Sequence, residues 1–289
     1  MFHTFYDFFL SPFHYFFLKR ALIACLTLSL GSAPVGVFLV LRRMSLMGDA
    51  LSHSILPGVA IGFLISGLSL PMMSLGGLLA GFLVALLAGM VSRFTLLQED
   101  ASFAGFFLVS LALGVMLVSL KGNNVDLIHV LFGTILSVDN LSLILMGSVT
   151  TLTLLILAVI YRSFILECFD PIFFKSVGGS GGFYHLLFLL LVVANLVVAF
   201  QALGTLMALG LMMIPGICAR FWARDIFFLC CISFLIAFFS GYFGLLISYH
   251  GSYASGPSII LIAGIFYVLS IFFGRYGSLR TYLLHKLPG

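Results

Sequence analysis

The chain has 289 residues, of which 62% are hydrophobic and only 8% charged, with a net charge of +4. A soluble domain carries about 25% charged residues; so low a share, with a mean hydropathy of +1.27, excludes a water-soluble fold and predicts an all-α polytopic membrane protein. The positive balance fits loops on the cytoplasmic side, and no basic stripe with interleaved aromatics marks a nucleic-acid partner.

The elements follow in chain order. Residues 1–20, MFHTFYDFFLSPFHYFFLKR, carry rings suited to headgroup level and lack a basic stretch ahead of an apolar one. They read as an interfacial segment touching membrane lipid, not as a cleavable signal. The first crossing is expected over 21–41. RRMSLMGDALSHSILPG, from Arg42 to Gly58, interrupts the apolar pattern. Apolar runs follow over 55–70, 72–91, 103–120 and 141–160, each close to the roughly 20 residues a ~30 Å hydrocarbon core requires. A short helix packed in the bundle is expected within 127–140. YRSFILECFDPIFFKSVGGSGG, residues 161–182, reads as a loop with one short helix. The apolar stretch 185–213 divides into two shorter helices around Asn195, Gln201 and Gly204. Pro215 and Gly216 are expected to end that span and to start a short helix bearing Arg220 and Arg224. The last crossings fall at 226–248 and 258–273, giving eight or nine in all. The chain thus divides into an interfacial segment (1–20), a transmembrane domain (21–274) and a short basic cytoplasmic tail (275–289).

Arg42 with Arg43, Arg93, Arg162 with Lys175, Arg220 with Arg224, and the tail are separated by pairs of apolar segments. The positive-inside rule therefore places them all on the cytoplasmic side.

Ionisable groups inside a membrane bundle are costly, about 2.5–3.5 kcal/mol for Asp at a helix centre, and normally face an internal path. In a helix Asp49 and His53 are at i and i+4, on one face, with Ser45 and Ser52 beside them. A carboxylate and a neutral imidazole suit Mn²⁺, Zn²⁺ or Fe²⁺. One helix supplies two ligands, and a symmetry-related copy would supply four. Spacing alone leaves open a second reading, a hydrogen bond locking two helices. Asn195 and Gln201 are candidates either to bridge helices or to line a path. The remaining histidines, His185 among them, read as surface or satisfied groups, Asp126, Asp139 and Asp170 as loop or cap residues, and the cysteines as small buried hydrophobes. None of Lys19, Lys121, Lys175 and Lys286 follows a glycine, so the chain has no P-loop. It also shows no nucleophile–base constellation, so it is read as a non-enzyme without a permanent cofactor. Its energy must come from a partner or an ion gradient.

VFLVLRRMSLMGDALSHSILPGVAIGF resembles the N-terminal signature of the permeases of bacterial ABC importers for manganese, zinc and iron(II), the metal-uptake ABC-3 family. QEDASFAGFFLVSLALGVMLVSL, NVDLIHVLFGTILSVDNLSL, ECFDPIFFKSVG, VVAFQALGTLMALGLMMIPGICARFWARD and SYHGSYASGPSIILIAGIFYVLS follow in the family's order. The resemblance implies a multi-pass permease of the bacterial cytoplasmic (inner) membrane. It would pair with a second copy or a sister permease, a cytoplasmic ATP-binding subunit and an extracytoplasmic metal-binding protein. It implies metal passage at Asp49 and His53, and contact with the ATPase along Pro215 to Arg220. FFKSVGGSGG is richer in glycine than the family's usual segment, and YHGSYASGP lacks its common acidic residue. An ion-gradient-coupled secondary transporter is the alternative; it needs no ATPase and leaves Arg220 and Arg224 as orientation signals.

Overall fold

The computed structural model describes residues 11–67, 69–119, 135 and 138–276. Among them are helices and no strands. After one turn of 3-10 helix at Ser11–His14 come α1 (Phe16–Leu41), α2 (Ser45–Ser54), α3 (Leu56–Ser66), α4 (Leu70–Phe94), α5 (Glu99–Ser119) and α6 (Asn140–Phe169). The short α7 (Pro171–Ser176), then α8 (Gly181–Leu203), α9 (Thr205–Ala219), α10 (Ile226–Gly251) and α11 (Ser255–Phe273) complete the bundle. Among the described residues eight helical stretches are long and apolar enough to cross a membrane, and α9 adds a shorter apolar helix.

Three expected boundaries change. The second crossing begins at Met47, not Ile55, because α2 runs into α3 through a bend at Ile55 and the two form one membrane-length stretch, Met47–Ser66. Asp49, Ser52 and His53 depress hydropathy there without stopping the helix. Second, α6 continues past Ile160 to Phe169, because Tyr161 to Phe169 contains no helix breaker. Asp170 then ends it and caps α7, its Oδ1 accepting from the Phe173 amide at 2.9 Å. Third, Pro215 does not end its span: α9 carries it internally to Ala219, as α1 carries Pro34. Neighbouring helices in a membrane bundle tolerate such residues. No separate helix follows; Arg220 to Ala223 fold back in a turn, with the Phe221 amide donating to the Cys218 carbonyl and the Trp222 amide to Ala219. Two other readings hold. The 185–213 stretch divides at Gly204, whose φ of 83° is a left-handed conformation open to glycine. Asp139 caps α6 through Ser142, and those hydrogen bonds hold its carboxyl below the usual range. α1 starts at Phe16, inside the stretch read as interfacial. Residues 1–10, most of 127–140 and the end of the tail lie outside the described residues.

The helices form two bodies. One is α2 to α5, which pack on one another; the other is built from α1, α6 and α8 to α11. The main seam between them is α8 against α4, with α2 touching α1, α8 and α9. Small residues let backbones meet where side chains could not fit. Gly58 of α3 lies against the Gly76 carbonyl of α4, and Gly36 of α1 against the Met212 carbonyl of α9.

Candidate functional site

The bent crossing α2–α3 positions the polar pair. Its inner face carries Met47, Leu51, Ser54 and Ile55, all buried. Gly48 packs on α9: a Cβ there would come within 2.5 Å of Met213 Cε. That contact fixes which way α2 is turned. Asp49 and His53 consequently point away from the body of the chain, their side chains 55% and 35% exposed. His53 Nε2 and Asp49 Oδ1 are 3.6 Å apart, beyond hydrogen-bond length, and among the described residues neither bonds to another helix. The His53 ring leans on Phe107 of α5, centroids 5.7 Å apart. At the bend Ser110 of α5 donates to the Ser54 carbonyl at 3.0 Å, so α2, α3 and α5 are stitched at the site. The Ser52 hydroxyl donates to the Asp49 carbonyl at 2.8 Å and is buried, leaving its oxygen as an acceptor only. Ser45 opens α2 one turn before Asp49.

The arrangement offers one carboxylate and one imidazole, open on one side. Among the described residues no cluster of three or more His, Cys, Asp or Glu side chains could hold a metal. Asn195 is elsewhere: it is buried on α8, donates to Thr153 Oγ1 and to the Leu191 carbonyl at 2.8 Å each, and so bridges α8 to α6. Gln201 lies in the last turn of α8.

The arginines gather at one end. A cavity of about 580 Å³ is lined by Leu41, Phe169, Arg220, Phe221, Arg224 and Tyr276, which joins the ends of α1, α6, α9 and α11. The Arg224 guanidinium lies 4.6 Å from the Tyr276 ring centroid. Trp222 Nε1 donates to Ser270 Oγ at 2.9 Å, pinning the turn to α11. Arg220 is exposed.

One feature at that end escaped the sequence reading. Arg42 is more than a boundary marker: its side chain is 9% exposed, its Nη2 pairs with Glu167 Oε2, and its Nη1 donates to His185 Nδ1 at 2.7 Å. His185 Nε2 meets Glu99 Oε1 at 2.6 Å. Phe164 and Phe188 flank the guanidinium. The chain's two glutamates, Glu99 and Glu167, both belong to this group; so sparing a use of a residue type was the available signal.

The profile of the ABC 3 transport family matches residues 14–274. The chain is 32% identical to the manganese import system permease protein ScaB of Streptococcus gordonii, over 91% of this chain and 92% of the relative. It is 30% identical to the chelated iron transport system membrane protein YfeD of Yersinia pestis, over 93% of this chain and 90% of the relative. Among solved structures, PsaBC from Streptococcus pneumoniae in complex with Fab superposes with a TM-score of 0.85 at 30% identity, covering 96% of this chain and 99% of that one.

Proposed function

We propose, from the premise that this chain belongs to the ABC 3 transport family of membrane permeases, that it conducts a divalent transition metal into the cell and that Asp49 and His53 are half of the metal's way-station. The observation that carries this is a 55%-exposed aspartate on a membrane-length helix. Such a carboxylate is not left against hydrocarbon, where its cost is roughly 2.5–3.5 kcal/mol. A second permease, either another copy or a sister chain, covers that face, and the two polar faces enclose a wet path. Two Asp–His pairs then give four ligands. With O and N donors the path admits Mn²⁺, Fe²⁺ and Zn²⁺; manganese leads, given the import relatives above, and iron follows. Binding there has to be weak, because conduction needs a site the ion can leave. Ser52 borders the pair and offers a hydroxyl oxygen, and Ser45 stands one turn earlier on the same helix.

The basic end faces the cytoplasm in this reading, by the positive-inside rule, and the membrane is the bacterial cytoplasmic one. An ATP-binding subunit docks on the turn after α9, where exposed Arg220 and the Arg224–Tyr276 pair rim the cavity, and Pro215 and Gly216 set the last turns of α9. An extracytoplasmic metal-binding protein delivers the ion to the opposite face. Asn195 acts on helix packing rather than on the ion, through its bond to Thr153. A gradient-driven carrier is not favoured, since the family is one of ABC permeases.

Expression with the cognate ATPase in a host lacking its own manganese and iron uptake tests the reading. Growth rescue and ⁵⁴Mn accumulation are expected, and no rescue by any of the three metals overturns it. Reversing both charges, Arg220→Glu with Arg224→Glu, is expected to lower co-purification of the ATPase by about tenfold or more, the equivalent of ~1.4 kcal/mol, with the permease still folded by size exclusion.

A further inference from the structure

We propose that Glu99, His185, Arg42 and Glu167 form a tie that joins the two helical bodies at the basic end, and that it breaks and remakes as the path opens to that side. Glu99 begins α5 and belongs to the body that carries Asp49 and His53. Arg42 ends α1, Glu167 lies in the last turn of α6 and His185 in the first turn of α8, all three in the other body. α5 makes no substantial helix–helix packing with α1, α6 or α8, so at this end the bodies are held across α5 by side chains.

The polarity of the chain is determined. Arginine only donates, so the His185 Nδ1 facing Arg42 accepts, and Nε2 carries the proton it gives to Glu99. His185 is thus a neutral relay between a cation and an anion, and Glu167 balances Arg42. The side chains are 9% exposed at Arg42, 10% at Glu167, 15% at His185 and 34% at Glu99, so the chain grades from buried to wet. Its wet side is a cavity of about 300 Å³ lined by Glu99, Glu167, His185, Ser92 and Lys175. Water and Lys175 are therefore at hand to take over Glu99 and Glu167 when the bodies part. A tie with replacement partners within reach suits a reversible contact better than a permanent one. His185 and Glu99 are positioning residues here: they touch no metal and act through the placement of α5, against which the His53 ring leans.

Cys168, half-buried beside Glu167, is a native reporter. The permease is purified with its ATPase, treated with a water-soluble maleimide, and labelling at Cys168 is followed by peptide mass spectrometry. His185→Phe is expected to label faster by about tenfold or more, the ratio that loss of one charge-assisted hydrogen bond corresponds to, and to import less metal per ATP hydrolysed. His185→Gln is expected to label at the parent rate, because its amide accepts from Arg42 and donates to Glu99. Glu99→Leu, at a more exposed position, repeats the His185→Phe result should that variant fail to fold. Parent-like labelling in folded His185→Phe or Glu99→Leu, or fast labelling in His185→Gln, overturns the tie. The inference rests on the transport reading but is separable from it. Asp49→Ala is expected to lose uptake with Cys168 labelling unchanged; if Asp49→Ala transports normally the metal path fails, while the labelling ratios still decide the tie.

Discussion

Asp49→Ala is expected to reduce metal uptake to background while the permease still assembles with its ATPase, and His53→Ala is expected to do the same. Loss of a group that merely supports a metal ligand costs about 10–100-fold; loss of a ligand itself costs at least as much, and a symmetric pair of permeases loses both copies at once. The fold is expected to tolerate both changes: the side chains point outward, among the described residues neither bonds to another helix, and His53→Ala gives up only the ring contact with Phe107. Surface substitutions of that kind stay within about ±0.5 kcal/mol. The measurement is ⁵⁴Mn uptake into proteoliposomes beside co-purification and thermal stability. Asp49→Asn separates charge from shape: it keeps the size and one carbonyl oxygen and is expected to transport far less than the parent. Normal uptake by both alanine variants would remove the pair from the path.

Gly58→Val is expected to prevent accumulation of folded permease in the membrane. A Cβ on Gly58 overlaps the Gly76 carbonyl of α4 and lies 2.6 Å from Ala80 Cβ, and a Cβ on Gly76 overlaps the Gly58 carbonyl in return. The obstacle is backbone on both sides, so no rotamer relieves it and α3 must move off α4. Overpacking usually costs about 1–3 kcal/mol, and here the displaced element is continuous with α2, which carries Asp49 and His53. Gly264→Ala is the control, since nothing lies within 4 Å of the Cβ it adds. Membrane yield and a monodisperse size-exclusion peak should be lost in the first and kept in the second. Equal yields would mean that α3 and α4 are not in backbone contact.

The crossings were legible because hydrocarbon thickness imposes a length and a composition that a single sequence displays. The division at Gly204 was legible because Gly and polar side chains cluster there. The start of the second crossing was not: hydropathy alone placed it at Ile55, since Asp49, Ser52 and His53 depress the signal that marks a membrane helix. Pro215 misled for a related reason, as a residue that ends helices in water continues one here under cover of neighbours. Asp49 and His53 were visible through their i, i+4 spacing, which is local. The Arg42 group was invisible for the opposite reason. Its bonds span sequence separations of 143 and 86 residues, and each member taken singly looks like an ordinary charge at a helix end.

The Gly48–Met213 contact has a mechanical meaning. Met213 lies about two turns of α9 before Arg220, roughly 10 Å along the axis, and Gly48 is the residue next to Asp49. With an ATPase docked as proposed, a push at Arg220 would reach Asp49 through the last two turns of α9, which carry Pro215 and Gly216, and one thioether. Methionine is a compliant bearing: it can roll over the bare Gly48 backbone without binding to it. A short helical segment with slip at its head would then turn an axial thrust into a rotation of Asp49, a lever short enough that little travel is lost.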